Sequence, residues 1–473
     1  MPLEPLIAVS SVDGRYRTYA DMLYTSISEF ALIRNRVRVE CEYLITLSET
    51  KSIGIRALNP EEKKMLQKIV ADFSLDDAHI VKKIEQDGFE SIPATNHDMK
   101  AVEYFIKGKL AKTSLADVSE WIHFGLTSED VDNIAYALMI RSALDEAILP
   151  ALDIVEKSLE GLAREHAGSA MLARTHGQPA SPTTFGKEMR VFEARLSRQL
   201  QQLKERSLLV KLGGATGNYN AHAVAAPDVD WQKFAQTFVA SFNPTSHEAS
   251  KGTAINLELN GVTTQIEPHD TYAELFDNMR RINTILIGFS QDMWRYISDG
   301  WIIQTPKLGE VGSSTMPHKV NPIDFENAEG NLGVANALFE HFSRKLPISR
   351  LQRDLSDSTV KRTFGLAFAH SYIGYRVLAK GLAKVSVNTE AMLKELQTHP
   401  EVLAEAIQTM LRREGVEVPY EKLKDLTRGR QVTLDDFTKF IDALSVSDEA
   451  KKRLKALRPE NYIGLAEKIA KGQ

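Results

Sequence analysis

A single cysteine, Cys41, stands in a chain of 473 residues. One thiol cannot close an internal disulfide, and its solitude excludes zinc sites built on two or more thiolates. Long apolar runs are missing too: no stretch approaches the roughly 18 apolar residues that a membrane-spanning helix needs. The net charge is only −5 and the basic clusters are short. Neither a nucleic-acid stripe nor a membrane-surface face is therefore expected. Residues 1–14 lack the basic-then-apolar order of a secretory signal. A soluble, cytoplasmic protein is the expectation. Three common site signatures are absent as well: GxxxxGK(S/T), HExxH and GxSxG.

What the chain has is helical periodicity. From Ser128 to about Ala167 breakers are few, and Val131, Ile134, Ala135 and Leu138 share one stripe. Thr127 and Ser128 precede Glu129 and Asp130, a cap with acidic residues suited to a helix N-terminus. Pro150 is placed to kink this helix. A second helix is expected from about Thr183 to Leu209. A third, from about Thr271 to Ile297, repeats Leu275, Met279, Ile282, Leu286, Phe289 and Met293, the alternating spacing of a helix–helix seam. A fourth follows the Asn321–Pro322 cap to about Lys345, and a fifth covers about Ser358 to Val385. The fold class expected is all-α: three helical domains around a central bundle of five long helices. The boundaries are residues 1–117, 118–383 and 384–473. One stretch reads as strands. Ile255, Leu257 and Leu259 alternate with polar residues, as do Val262, Thr264 and Ile266, around Asn260–Gly261; that predicts a two-residue-turn hairpin. Gly213–Gly217 is glycine-rich but follows a predicted helix, so it reads as a plain turn.

Two loops could carry chemistry. Gly312-Ser313-Ser314-Thr315-Met316-Pro317-His318-Lys319-Val320-Asn321-Pro322 combines hydroxyls and a cation just ahead of a helix N-terminus. Both the helix end and an ammonium stabilise anions, and Gly309 and Gly312 allow hinge motion. An ordinary capping loop is the bland alternative. Arg174-Thr175-His176-Gly177-Gln178-Pro179 places a histidine in an exposed Gly/Pro-bounded loop, and imidazole is the side chain type suited to proton transfer at neutral pH. An isolated histidine is more often structural.

The first string resembles the signature loop of the fumarase/aspartase superfamily, with serine, Met-Pro, lysine and Asn-Pro at matching spacing. The resemblance implies that Ser313 is the catalytic base, that Ser314 contacts substrate, and that Lys319 and Asn321 hold a substrate carboxylate. The second string is similar to another region of the family, in which the histidine matching His176 is the general acid. Further segments resemble the branch acting on succinylated purine nucleotides, in its longer bacterial form. These are Asn96-His97-Asp98, His123 with Thr127–Ser128, the stretch around Gln265, and Arg353 to Thr359. Arg15, Tyr16, Arg353, Ser358 and Arg362 are the implied phosphate-side groups, and arginine forks suit phosphate. Ser246 to Asn260 is longer than the family pattern.

The resemblance implies β-elimination without metal or organic cofactor, because a substrate carboxylate serves as electron sink. The partners implied are small-molecule nucleotides and other copies of the chain, in a homotetramer with shared sites. Two other readings share the motifs: an enzyme of the superfamily acting on argininosuccinate, which would lack a phosphate site, and a non-catalytic crystallin-like member, which would be expected to lose the catalytic groups.

Overall fold

A computed structural model of the chain describes residues 4–244, 255–305, 316, 319–417, 420–421, 423–424 and 432–473. Its framework is helical, in keeping with the fold class expected. In chain order the elements that matter here are α1 (Glu29–Glu49), α2 (Asp98–Leu110), α3 (Ser128–Ala143) and α4 (Leu149–Glu165). The strands β1 (Ala170–Thr175) and β2 (Gln178–Thr184) precede α5 (Phe185–Lys204), β3 (Ser207–Val210) and β4 (Asn256–Leu259). Then come α6 (Asp270–Ser298), β5 (Ile302–Gln304), α7 (Ile323–Lys345), α8 (Ser356–Lys361), α9 (Phe364–Leu382) and β6 (Val385–Val387).

The long helices form where the apolar spacing places them. Helix α3 starts with a capping box, Asp130 accepting the Thr127 N–H at 2.8 Å. A single π-turn, Leu144–Ile148, joins α3 to α4, and the Leu149 N–H reaches back to the Leu144 carbonyl. Pro150 explains it: the ring has no N–H to give the preceding turn, so the ladder adjusts there. Helix α7 begins slightly later than the Asn-Pro pair implies, since the Pro322 carbonyl accepts the Glu326 N–H at 3.2 Å.

The chain gathers into two compact units, each assembled from three separate stretches. The first unites residues 1–152, 199–284 and 330–376. Within it Phe276 of α6 packs on Phe339 of α7 (5.5 Å between ring centroids) and Phe364 of α9 (5.1 Å). A further core, from Ile33 to Ile122, fills the N-terminal helices. The second unit unites residues 153–198, 285–329 and 377–473. There Phe289 of α6 meets Phe192 of α5 at 5.3 Å and Phe325 of α7 at 6.5 Å. Leu403 to Leu454 make a C-terminal core of their own.

Three local expectations are corrected. The second long helix ends at Lys204, because Ser207–Val210 is a strand whose Leu208 and Val210 are buried. The hairpin expected at Asn260–Gly261 does not form. Instead β4 pairs in parallel with β3, Leu257 opposite Leu208, and the Asn260 N–H continues that ladder to the Val210 carbonyl at 2.7 Å. Beyond it the Asn260 side chain accepts the Val262 N–H at 3.1 Å, and the Thr263 and Thr264 carbonyls close on Gly217. A Cβ at Gly217 would stand 2.5 Å from the Thr263 oxygen, so only glycine fits this approach. Finally, the glycine-rich Gly213–Gly217 follows a strand, not a helix. It is no free turn: Asp130 accepts the Gly213 N–H at 2.8 Å, and buried Lys211 bonds both Asp130 (2.7 Å) and the Gly214 carbonyl (2.6 Å).

Candidate active site

A cavity of about 800 Å³ opens in the first unit where five separated stretches converge. The N-terminus of α2 contributes Asn96, His97 and Asp98, and the start of α3 contributes Thr127 and Ser128. Gln265 enters ahead of α6, and Arg353, Ser358 and Arg362 enter around α8. All nine of these were singled out from the sequence. Ala215 and Thr216 also line the cavity, from the glycine loop read as a plain turn; Gln265 Nε2 donates to the Ala215 carbonyl at 3.0 Å.

Local chemistry sets the side chains. Asn96 adopts a left-handed backbone (φ 50°) that turns the chain into α2, and His97 caps that helix, its Nδ1 accepting the Lys100 N–H at 3.3 Å. Buried Arg36 grips Asp98 at 2.9 Å and Asp132 at 2.6 Å. Burial raises the Asp98 pKa, but the Arg36 guanidinium outweighs it and holds the carboxyl below its ordinary range. Arg362 Nη2 lies 3.5 Å from the same Asp98. Arg353 Nη1 lies 3.0 Å from buried Glu129, whose other oxygen meets Lys361 Nζ at 2.7 Å. Lys361 also lies 2.8 Å from Asp357. Burial lowers the Lys361 pKa, yet Glu129 and Asp357 more than offset this and raise it above the usual value. Glu129, His269 and Asp357 together present atoms within 4.8 Å of one another, a spacing that could suit a cation. The Lys361 ammonium already bridges the two carboxylates.

His123 is in the first unit but does not line the cavity. Its left-handed backbone (φ 62°) lets buried Glu40 accept both its N–H (3.0 Å) and its Nδ1 proton (2.6 Å). Burial lowers the His123 pKa, and Glu40 reverses that to a net rise. Arg15 and Tyr16, exposed and half-buried, are likewise outside the lining.

The second unit carries the other residues. His176 and Gly177 are the two central residues of a tight hairpin turn, both left-handed (φ 54° and 73°), between β1 and β2, with Thr175 opposite Gln178. The sequence reading took this stretch as a loop; the strands hold the exposed imidazole on a rigid arm. Arg174 pairs with Glu395, which also accepts the Trp301 indole N–H at 2.6 Å. Lys319 is exposed and Asn321 half-buried just before α7. Gln304 Nε2, on β5, donates to the Val320 carbonyl at 3.1 Å. Ser313 and Ser314 lie outside the described residues.

Glu267, two residues from Gln265, gives a pH-dependent prediction. Burial raises its carboxyl to about 7, against the lowering bonds from Asn260 and the His269 N–H. The folded chain thus holds this proton more tightly than the unfolded one, whose ordinary value is 4.5. The stability it contributes is full below the unfolded pKa and is lost as pH rises through about 7, about 3 kcal/mol in all. Glu267→Gln should gain melting temperature over the parent at pH 8 and much less at pH 5. A difference independent of pH would show that the carboxyl does not titrate in this way.

Comparison with known proteins adds a consistent picture. A lyase family model matches residues 14–337, and a model of the adenylosuccinate lyase C-terminal region matches residues 349–463. The chain is similar to adenylosuccinate lyases of Vibrio cholerae and Escherichia coli K12, each 48% identical over 98% of both chains. It is 47% identical to that of Legionella pneumophila strain Corby, over 100% of this chain and 99% of the relative. Among solved structures, a fumarate lyase from Mesorhizobium sp. BNC1 superposes with a TM-score of 0.71 at 16% identity, covering 96% of this chain and 97% of that one. The 3-carboxy-cis,cis-muconate lactonizing enzyme from Pseudomonas putida gives 0.67 at 19%, covering 93% and 92%. At such identities these two establish the fold alone.

Proposed function

Because the chain belongs to the adenylosuccinate lyase family, we propose that it eliminates fumarate from succinylated purine nucleotides: adenylosuccinate, giving AMP, and SAICAR, giving AICAR. The observation that carries this reading is the cavity. Five stretches distant in sequence bring two arginines, hydroxyls and amides to one place, as a nucleotide with a phosphate requires. A lyase acting on argininosuccinate would have no use for a phosphate site.

The reaction is a β-elimination. Ser313 takes the proton beside the β-carboxylate, and the C–H electron pair delocalises into that carboxylate. Lys319 and Asn321 stabilise the added charge. The electron pair then forms the C–C double bond as the C–N bond breaks, and His176 protonates the departing nitrogen. The carboxylate itself is the electron sink, so the chemistry calls on no metal or organic cofactor. Arg353, Ser358 and Arg362 hold the phosphate, with Arg15 and Tyr16 on the same side, and His123 is a further substrate-binding residue. Asn96, His97, Asp98, Thr127, Ser128 and Gln265 contact the nucleotide, and Ser314 joins them from the signature loop. The working form is a homotetramer with sites shared between chains, in the cytoplasm. Among the described residues, no helix is long and apolar enough to cross a membrane.

An absorbance assay of the purified protein tests the reading directly. Adenylosuccinate should be consumed with release of fumarate and AMP. Turnover of argininosuccinate with none of adenylosuccinate would overturn it.

A further inference from the structure

Beneath the cavity lies a group of buried ionisable side chains that the elimination itself does not use. Glu129 and Lys361 are 0% and 3% exposed, Asp357 3% and His269 1%. Burying charges costs several kcal/mol per ion on the order-of-magnitude scale, and apolar replacements of similar volume are often at least as stable. Packing for stability therefore does not account for the group. His269 adds to the cost, since neither ring nitrogen has a hydrogen-bond partner among the described residues. Three of the four members also adjoin a cavity residue in sequence. Glu129 follows Ser128, Asp357 precedes Ser358, and Lys361 precedes Arg362.

The connections run in one direction. Lys361 is salt-bridged to Asp357 and Glu129, and Glu129 is salt-bridged to Arg353. Arg353 lines the cavity, and its Nη1 lies 3.0 Å from Glu129. The other cavity arginine repeats the arrangement: buried Arg36 holds Asp98, and Asp98 faces Arg362. Each cavity guanidinium is thus held at one edge by a carboxylate that a buried cation fixes from behind.

We propose that Glu129, fixed by Lys361, is a positioning residue that orients Arg353 for an anionic phosphate. The proposal rests on the nucleotide reading above. A lone arginine would have to be ordered when ligand binds, at a cost in side-chain entropy. Glu129 orders it beforehand. A second cation behind Glu129 keeps that carboxylate from neutralising Arg353 on its own, so the site stays attractive to an anion.

A double-mutant cycle in the assembled full-length enzyme tests this. Glu129→Gln should weaken AMP binding by about tenfold, measured calorimetrically, and leave kcat on adenylosuccinate within about threefold. In an Arg353→Ala background the same change should weaken AMP by less than about twofold, because the residue it acts through is gone. An equal loss in both backgrounds, or a fall in kcat with AMP affinity intact, overturns the proposal. Should Glu129→Gln not fold, Asp357→Asn takes its place. It loosens Lys361 and should cost about threefold in AMP affinity in the parent background only; equal losses again overturn the proposal. If the parent enzyme neither binds AMP nor turns over adenylosuccinate, the nucleotide reading fails and takes this proposal with it. If the parent does both and the cycle is additive, the positioning role alone fails.

Discussion

Replacing Ser313 by alanine should abolish turnover of adenylosuccinate while leaving AMP affinity within about tenfold of the parent. The expectation follows from a division of labour. The proton beside the β-carboxylate is weakly acidic, and its removal is the step that demands a strong, well-placed base. Loss of such a base raises the transition-state energy and leaves the ground-state complex almost untouched. The groups proposed to hold the phosphate are other residues, Arg353, Ser358 and Arg362, which line the cavity of the first unit. Single-turnover rates and equilibrium binding, measured on one preparation, separate the two effects. Retention of more than about a tenth of parental turnover would exclude Ser313 as the base.

Much of the framework could be read from the sequence, and the reasons are local. A helix announces itself by apolar residues three and four apart, and in α6 the stripe from Leu275 to Met293 is fully buried. Nine residues of the cavity were legible because motif strings mark them, whatever distance separates them in the chain. What failed depends on partners far away. Strand β3 pairs with β4 some 49 positions on, Ser207 opposite Asn256, and no local pattern advertises a parallel partner. The Asn260–Gly261 pair has the composition of a hairpin turn, but Asn260 gives its N–H to Val210 instead. His176–Gly177 is the true two-residue turn, and Pro179 in the following strand disguised it. Glu129 and Asp130 were read as acidic residues suited to a helix dipole. Both are fully buried, and each is paired with a lysine from another segment, Lys361 and Lys211. A buried carboxylate and a solvated one look the same in a string of letters. The spacing of Asp357 and Lys361 by four was the one available hint.

Mixing two inactive variants should restore activity, and helix lengths give the reason. Follow the chain through the residues assigned to the reaction. Helices α3 and α4 separate Thr127–Ser128 from His176, and α5 separates His176 from Ala215–Thr216. Helix α6 separates Gln265 from the signature loop, and α7 separates Lys319–Asn321 from Arg353. At every step at least one long helix stands between a cavity residue and a residue proposed for the elimination. Helices α4 to α7 have between 17 and 29 residues. At about 1.5 Å per residue they are about 25 to 45 Å long. A succinylated nucleotide cannot touch both ends of such a helix. If all these residues serve one substrate, neighbouring chains running in the opposite sense must supply the missing part, and the active form is an oligomer. His176→Ala and Ser313→Ala should each be inactive as pure proteins. Under conditions that exchange subunits, random assembly leaves about one half times one half, a quarter, of the sites with both groups intact, provided His176 and Ser313 come from different chains. Activity should then rise from near zero to about a quarter of the parent's. If both residues come from one chain, every site keeps a defect and nothing returns. No recovery after exchange has been verified by mass would refute the shared site, and a monomer in sedimentation would refute the length argument itself.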